Sequence, residues 1–432
     1  MRRRDFIKAT AAGGTLIFFQ GIPGAKASPI RLEDQDLALF ANIALNTAKS
    51  LKATYADIRI ARYRTQSVNT MEKRVTNVSD FESYGFGVRV IANGTWGFAA
   101  SRLVTRDEIA RVAKSAVAIA KANSRLQKEP ISLAPVHAVL ATWSTPIKVD
   151  PFSVSLQDKI GFLLRLNEEA LKVKGVSFCN SGMSFVSEKK FFASTEGSYI
   201  DQDIIRANPT FAVTAVNREK GQFETRNSYA EPKSVGFEYI AEYPWLDDVR
   251  QAGEDCIEKF SAKSVEPGKR DIILHPTNLW LTIHESVGHP TELDRALGME
   301  ANYAGTSFLT LDKLGKFKFG SDIVNFVADK TQEKGLATCG YDDDGVSTRK
   351  WHLVKDGMFV DYQVTRDQAN IIGRKESHGC SFAQTWADVP FQRMPNVSLE
   401  PGKKSLTLQQ LIADTEDEIL VKGNGSYSID HQ

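Results

Sequence analysis

The residues of this chain best suited to chemistry are two histidines on either side of a glutamate, in His284-Glu285-Ser286-Val287-Gly288-His289. Two neutral imidazoles supply nitrogen ligands for an ion such as zinc, and a carboxylate beside them can take a proton from an attacking water. The set predicts a metal-dependent hydrolase, with His284 and His289 as metal ligands and Glu285 as general base.

The spacing of the two histidines constrains the helix that carries them. In the more familiar zinc-protease helix the histidines stand at i and i+4. Here they are at i and i+5, which leaves them roughly 140° apart around a regular α-helix. We therefore expect the helix to bulge or end between His284 and His289. Gly288 would permit such a distortion, and Pro290 should bias His289 away from the α region.

Further carboxylates follow the second histidine. Glu292 is placed to orient an imidazole by accepting its ring N–H, and the alternative is a solvated carboxylate on the helix face. Asp294 lies on the same stretch. The run Asp342-Asp343-Asp344-Gly345 lacks the alternating oxygens and final glutamate of a calcium loop, so it predicts a turn.

The elements that must position these residues form two regions of an α+β chain. Residues 28–266 read as an N-terminal α+β domain, with a possible sub-boundary at the proline-spaced stretch near 130–150. Pro267-Gly268 is the predicted boundary to a β-rich C-terminal domain, 267–432. There, strand Asp271–Leu274 leads into the metal-motif helix, which starts near Pro276. The other main predicted elements are helices Ala110–Ala122, Leu156–Lys172 and Trp245–Lys263, and strands Tyr55–Tyr63, Gly85–Ile91, Thr95–Ala99, Gly175–Val186, Lys190–Ser194, Ser198–Asn208 and Thr210–Val216.

The first 27 residues have the features of a twin-arginine export signal. An arginine pair, a spacer and Phe6-Ile7-Lys8 precede the apolar run Ala9–Ile22 and the small-residue cleavage site Ala25-Lys26-Ala27. Cleavage would leave a mature chain from Ser28, exported to the periplasm. The run is shorter than the roughly 20 apolar residues of a span, so we expect no stable membrane span after cleavage. An uncleaved anchor is the alternative.

The charge of the chain argues against nucleic-acid binding. The whole sequence carries a net charge of +1, and removing residues 1–27 takes away five basic residues and one acidic residue, which gives −3. A nucleic-acid-binding domain is typically basic.

The segment around the histidines, HESVGHPTELD, resembles the HExxxHxxExD signature of the TldD/PmbA family, metallopeptidases also named modulators of DNA gyrase. Other segments resemble that family in the same order along the chain, from about Asp57 to Gly402. They are Gly85–Ala99, Ala304–Phe308, Asp342–Gly345 with Gly357, Pro390–Val397 and Glu400–Gly402.

The resemblance implies a zinc metallopeptidase of TldD type that hydrolyses unfolded or small peptides. It implies an α/β sandwich-like N-terminal region and a barrel-like C-terminal sheet around the motif helix. It also implies a dimer, either of two identical chains or with a PmbA-like subunit lacking the metal motif, and it does not imply contact with DNA.

The family pattern also implies a third metal ligand, a cysteine in a closing C-terminal segment. The sequence ends at Gln432 before such a segment, so we expect either a truncated chain or a member without the closing strands. None of Cys179, Cys256, Cys339 and Cys380 matches the position of that ligand.

Two other functions stay open at this point. The unmatched third ligand favours a non-catalytic peptide-binding or scaffold subunit of a TldD/PmbA-type heteromer. A periplasmic location would also fit a metal-dependent hydrolase of amides in cell-wall peptides.

Overall fold

The computed structural model of this protein describes residues 34–425. One compact unit begins at Ala38 and contains the elements discussed below, except that residues 34–37, the first turn of the first helix, belong to a separate unit. The predicted signal peptide, residues 1–27, lies outside the described residues. Within the described range no helix is both long and apolar enough to cross a membrane.

The first part of the described chain is built on one seven-stranded sheet. The strand order is β3-β2-β1-β5-β6-β4, and β7 also pairs with β6. All pairs are antiparallel except that of β4 with β6. The strands are β1 (Tyr55–Met71), β2 (Arg74–Ala92), β3 (Thr95–Ser101), β4 (Leu140–Ser144), β5 (Val176–Ser194), β6 (Tyr199–Asn217) and β7 (Gln222–Asn227). The helices are α1 (Asp34–Ser50), α2 (Arg106–Asn123), α3 (Leu156–Lys172), α4 (Tyr239–Glu242) and α5 (Trp245–Lys259).

A hydrophobic core joins α3 and α5 to this sheet. Helix α3 begins after Ser155, whose hydroxyl accepts a hydrogen bond from the Asp158 amide and so caps the helix. The apolar side of α3 is buried with residues of β5, β6 and α5. The largest contributors are Leu163, Leu166, Phe185, Phe211 and Trp245.

The second part of the chain has short strands and irregular connections. Its strands are β8 (Asp271–Leu274), β9 (Phe326–Asp329), β10 (Lys350–Lys355), β11 (Met358–Phe359), β12 (Ser381–Phe382), β13 (Phe391–Gln392), β14 (Asn396–Leu399) and β15 (Glu418–Val421). Its α-helices are α6 (Pro276–Ile283), α7 (Leu293–Ala296) and α8 (Leu408–Ala413). A π-helical turn covers His284–Gly288, and 3-10 turns cover His289–Thr291, Leu311–Lys313 and Ala369–Ile372.

The barrel-like C-terminal domain expected from the sequence is not present among the described residues. Four strands form an open sheet in the order β11-β10-β9-β14, and β12–β13 and β15–β8 form separate pairs. A barrel requires a partner on both edges of every strand. Among the described strands, β11 pairs with β10 alone and β14 with β9 alone, so these two are the end strands of the sheet. An isolated bridge between Met358 and Lys318 adds to the edge at β11 without closing the sheet.

The predicted elements agree with the structure best where the pattern is strongly periodic. Helix Leu156–Lys172 and strand Asp271–Leu274 have the predicted bounds. The strand pair predicted on either side of Pro209 is one continuous strand, β6. Proline cannot donate to a strand neighbour, but β4 pairs with Tyr199–Asp203 and β7 with Ala212–Asn217. Pro209 falls between these two ranges, where a missing N–H interrupts neither pairing.

Candidate metal centre

The helix that carries the first histidine has a defined start. Strand β8 runs parallel to β15 and leads into α6. His275 caps α6 by accepting a hydrogen bond from the Thr277 amide, and Pro276 occupies the first turn, where its missing N–H costs nothing. The helix ends at Ile283, and His284 is the first residue of the turn that follows.

The predicted distortion between the two histidines is confirmed, and it is a π-helical turn. The backbone N–H of His289 donates to the carbonyl of His284, an i→i+5 bond that brings residues five apart onto one side of the helix. The proposed causes are wrong. His289 stays in the α region despite Pro290 (φ −62°, ψ −44°), and Gly288 has α-region angles open to any residue.

The side chain of Met394 packs closely on Gly288. A Cβ at Gly288 would lie 2.5 Å from the terminal carbon of Met394, so any other residue would force that flexible side chain to move. On the other side of the turn, Val287 is buried against Ala328 and Leu353 of the four-stranded sheet. The turn is therefore held by contacts on both sides.

A buried glutamine connects this turn to the segment that follows β11. The Gln363 side-chain N–H group donates to the Gly288 carbonyl (2.5 Å) and to the Thr291 hydroxyl (2.8 Å). The Thr291 hydroxyl in turn donates to the Val287 carbonyl. Gln363 could not be predicted from the sequence, because nothing in its local pattern distinguishes it from an ordinary polar residue.

The π-turn brings His284, Glu285 and His289 together. One ligand atom from each of the three lies within 4.8 Å of the other two, and the part of the chain that the structure describes holds no second cluster of this kind. The two imidazole rings are perpendicular, with centroids 4.6 Å apart. The donor set, two imidazole nitrogens and a carboxylate oxygen, fits zinc.

The electrostatics of the site favour a neutral, metal-competent His284. Burial, the neighbouring His289 and Arg393 lower the pKa of His284, while the charge of Glu285 acts in the opposite direction. A metal ligand must be deprotonated. The lowered pKa therefore keeps the His284 nitrogen available as a ligand at neutral pH.

Glu292 is buried rather than solvated, and it contacts the second histidine. Its carboxylate oxygen lies 2.6 Å from His289 Nδ1 and 2.8 Å from Arg295 Nε. A proton on Nδ1 donated to this carboxylate leaves the Nε2 lone pair for a metal ion and fixes the ring orientation. The geometry matches the orienting role predicted for Glu292.

Asp294 is also buried, and it lies beside two other acids. Burial, followed by the charges of Glu300 and Glu292, raises the pKa of Asp294 to about 8. When Asp294 is protonated, only Glu292 and Glu300 of the three acids carry a negative charge, and both pair with Arg295. Asp294 therefore belongs to the support of Glu292 and not to the metal cluster.

Replacing Glu292 with glutamine should weaken metal binding without abolishing it. Glutamine keeps the size of the side chain but removes the negative charge that polarises His289. Loss of such an orienting partner typically costs about 10- to 100-fold in metal affinity. Competition with a chromogenic zinc chelator measures the change, and Glu300→Gln is the matched control because Glu300 does not contact either histidine. Equal zinc affinities in the two variants would contradict the orienting role.

The aspartate run forms the predicted turn. Gly345 has φ of 74°, and the carboxylate of Asp342 accepts hydrogen bonds from the amides of Asp344 and Val346. The other two carboxylates of the run face lysine and arginine side chains of the seven-stranded sheet. Their partners are therefore protein cations, which agrees with the prediction against a calcium loop.

The described cysteines lie outside the histidine cluster. Cys179, Cys256 and Cys380 are buried free thiols and Cys339 is partly exposed. Burial, the largest cause, raises the pKa of Cys380 to about 12. None of the four is a third ligand beside His284 and His289 among the residues that the structure describes.

Family models for three domains match the chain in order. The matches are PmbA/TldA metallopeptidase domain 1 over residues 56–120, the central domain over 149–262 and the C-terminal domain over 267–431. A metalloprotease of Methanocaldococcus jannaschii is 27% identical over 387 residues, covering 87% of this chain and 79% of its own length. A zinc metalloprotease TldD homolog of Saccharolobus solfataricus is 22% identical, with 84% and 76% coverage.

Solved structures share the fold. TldE from Thermococcus kodakarensis superposes with a TM-score of 0.60 at 17% identity, covering 89% of this chain and 82% of that chain. A proposed modulator of a DNA gyrase from Thermotoga maritima gives a TM-score of 0.70 at 17% identity, with 90% and 82% coverage. At such identities the likeness establishes the fold alone.

Proposed function

We propose that this chain, which belongs to the PmbA/TldD family of metallopeptidases, hydrolyses unfolded or small peptides in a metal-dependent reaction. The observation that carries the proposal is the cluster of His284, Glu285 and His289, whose ligand atoms lie within 4.8 Å of one another. The name metalloprotease of one relative supports a metal ion, and the name zinc metalloprotease TldD homolog of another supports zinc.

The roles of the residues follow from their chemistry. His284 and His289 would hold the ion through ring nitrogens, and Glu292 keeps the second ring in place. A zinc ion held by these residues would supply Lewis acidity, which would polarise a peptide carbonyl and make water more acidic. Glu285 accepts a proton from the attacking water and transfers it to the leaving amine, which completes hydrolysis of the amide bond.

Elemental analysis of the purified chain tests the metal site. We expect about one zinc per chain in the parent protein and a loss of most of it in His284→Ala, because a single remaining imidazole holds zinc weakly. His352→Ala is the matched control, since His352 lies outside the cluster and pairs with Glu400 at 3.0 Å. Zinc retained equally in both variants would overturn the assignment of His284.

The absence of zinc from the parent protein would favour the second candidate, a non-catalytic peptide-binding or scaffold subunit. The observation behind that candidate is that the described cluster holds two imidazoles and no cysteine. Copurification of a second subunit with a metal-free chain would support it.

The location and the partner of the chain are further parts of the proposal. The twin-arginine pattern in residues 1–27 supports export to the periplasm. The sequence resemblance to the PmbA/TldD family supports a dimer with either a second copy or a PmbA-like subunit. Fractionation of cells that express the tagged full chain, followed by mass determination of the purified complex, tests both statements. A cytoplasmic, monomeric chain would contradict them.

A further inference from the structure

The segment Phe391–Met394 lies against the π-turn, and its one arginine has no acidic partner among residues 34–425. Gln392 is buried and contacts Gln363, the residue that donates to the Gly288 carbonyl (2.5 Å). Met394 packs directly on Gly288. Arg393 thus lies in sequence between two residues that pack against the π-turn of the metal centre, one of them through Gln363.

The guanidinium of Arg393 differs from those of the buried arginines. Arg59, Arg89 and Arg366 each lie in an ion pair with an aspartate or glutamate. Arg393 is half-buried, and its side-chain contact in the described part of the chain is with the ring of Phe391, 5.5 Å from the centroid. Its charge also lowers the pKa of His284, which places it within electrostatic reach of the metal ligands.

An aromatic surface accompanies this cation. The rings of Phe391 and Tyr303 meet edge to face, with centroids 6.3 Å apart. Both are accessible, with 39% of Phe391 and 77% of Tyr303 exposed. Exposed aromatic rings beside a cation offer contact area for an apolar side chain next to a bound anion.

We propose that Arg393 binds a carboxylate of the peptide substrate, and that Phe391 and Tyr303 contact the side chain beside that carboxylate. A half-buried cation that has no counter-ion in the described part of the chain is costly, and an anion that arrives with the substrate removes that cost. Arginine is suited to this task because its planar fork matches a carboxylate with two parallel hydrogen bonds. The inference rests on the proposed peptidase function and specifies what that site recognises.

Two sources of the carboxylate are possible, the C-terminus of the peptide or an acidic side chain, and three probe peptides separate them. Each is a short, apolar peptide with an N-terminal fluorophore. The first ends in a free carboxylate, the second in an amide, and the third in an amide with one internal glutamate. Their dissociation constants are measured by fluorescence anisotropy with the full chain carrying Glu285→Gln, so that binding is read without turnover.

We expect the free acid or the glutamate peptide to bind about 10-fold or more tightly than the uncharged amide. Adding Arg393→Gln should abolish that difference, and adding Arg393→Lys should retain part of it. Arg125→Gln is the matched control, since Arg125 is exposed at the end of α2 and removing it changes the net charge equally. Thermal melting checks that the variants fold, and Arg393→Lys gives an independent result if Arg393→Gln does not.

The outcomes separate the two proposals. A preference for the free acid that depends on Arg393 assigns the C-terminal carboxylate, and a preference for the glutamate peptide assigns the side chain. Equal binding of the three peptides, or a preference unchanged in both Arg393 variants, overturns the inference. If the binding results overturn the role of Arg393 but the parent protein hydrolyses peptides, the proposed peptidase function is retained. No hydrolysis by the parent protein rejects that function whatever Arg393 does.

Discussion

Glu285→Gln should lower the rate of peptide hydrolysis by about 10²- to 10⁴-fold while the folded protein keeps its metal. The substitution conserves the size and hydrogen-bonding shape of the side chain but removes the basic carboxylate. The cluster then has no carboxylate to accept the proton, because its other two members are the imidazoles proposed as metal ligands. Hydrolysis is measured with a quenched fluorescent peptide, and zinc content is measured on the same preparation.

Zinc content decides how the result is read. Glu285 lies in the same cluster as the two histidines, with an oxygen 3.8 Å from His284 Nε2. A slow variant with full zinc content supports the role of general base, whereas a slow variant without zinc would make Glu285 a ligand. Unchanged hydrolysis would rule out both roles. Glu376→Gln is the matched control, because that carboxylate is exposed and pairs with Arg349 away from the cluster.

The sequence predicted the metal centre in outline because its residues lie close together in the chain. Spacing alone required a distortion between His284 and His289, and the π-turn supplies it. The attribution to Gly288 and Pro290 was wrong because Gly288 and His289 both keep ordinary α-region angles. The close neighbour of Gly288 is the side chain of Met394, more than 100 residues away. Met394 fills the space that a Cβ would occupy, and no local pattern reports such a contact.

The same limit applies to the fold. Periodicity gave the bounds of α3, where one face is apolar along its length. It missed the first half of β2, where the nine residues from Arg74 to Glu82 are all exposed and show no alternation. It also gave no sign that Arg89 and Asp344, 255 residues apart, meet at 2.6 Å. Contacts of this kind depend on how the two parts of the chain pack together.

Asp343 is the clearest example of such a contact, and its removal should have a large effect on stability. One oxygen of its carboxylate lies 3.0 Å from Lys190 Nζ. The other lies 3.8 Å from Arg59 Nη1 and accepts the Ala383 amide at 2.7 Å. The side chains of Asp343 and its two cationic partners are at most 6% exposed. The aspartate turn is therefore joined to β1 and β5 through charges that water does not reach.

Asp343→Ala should lower the free energy of unfolding by about 3–5 kcal/mol, the usual cost of removing one partner from a buried ion pair. Lys190 would keep only the more distant Glu188, at 3.6 Å, as an ion-pair partner among the described residues. Urea unfolding followed by circular dichroism measures the change. Asp322→Ala is the matched control, because Asp322 is 79% exposed in its pair with Lys318. That control should leave the free energy of unfolding nearly unchanged, because water and salt screen an exposed ion pair.

The pH dependence of the free energy of unfolding tests the role of the Asp343 carboxylate independently. Burial alone would raise the pKa of Asp343, but Lys190 and Arg59 outweigh it and hold that pKa below its usual 3.8. A pKa that folding lowers gives stability that is present above the unfolded pKa and is lost as pH falls through the folded one. The parent protein should therefore lose more stability between pH 5 and pH 3 than Asp343→Ala does. Equal losses in the two proteins would show that the charge of Asp343 does not stabilise the fold.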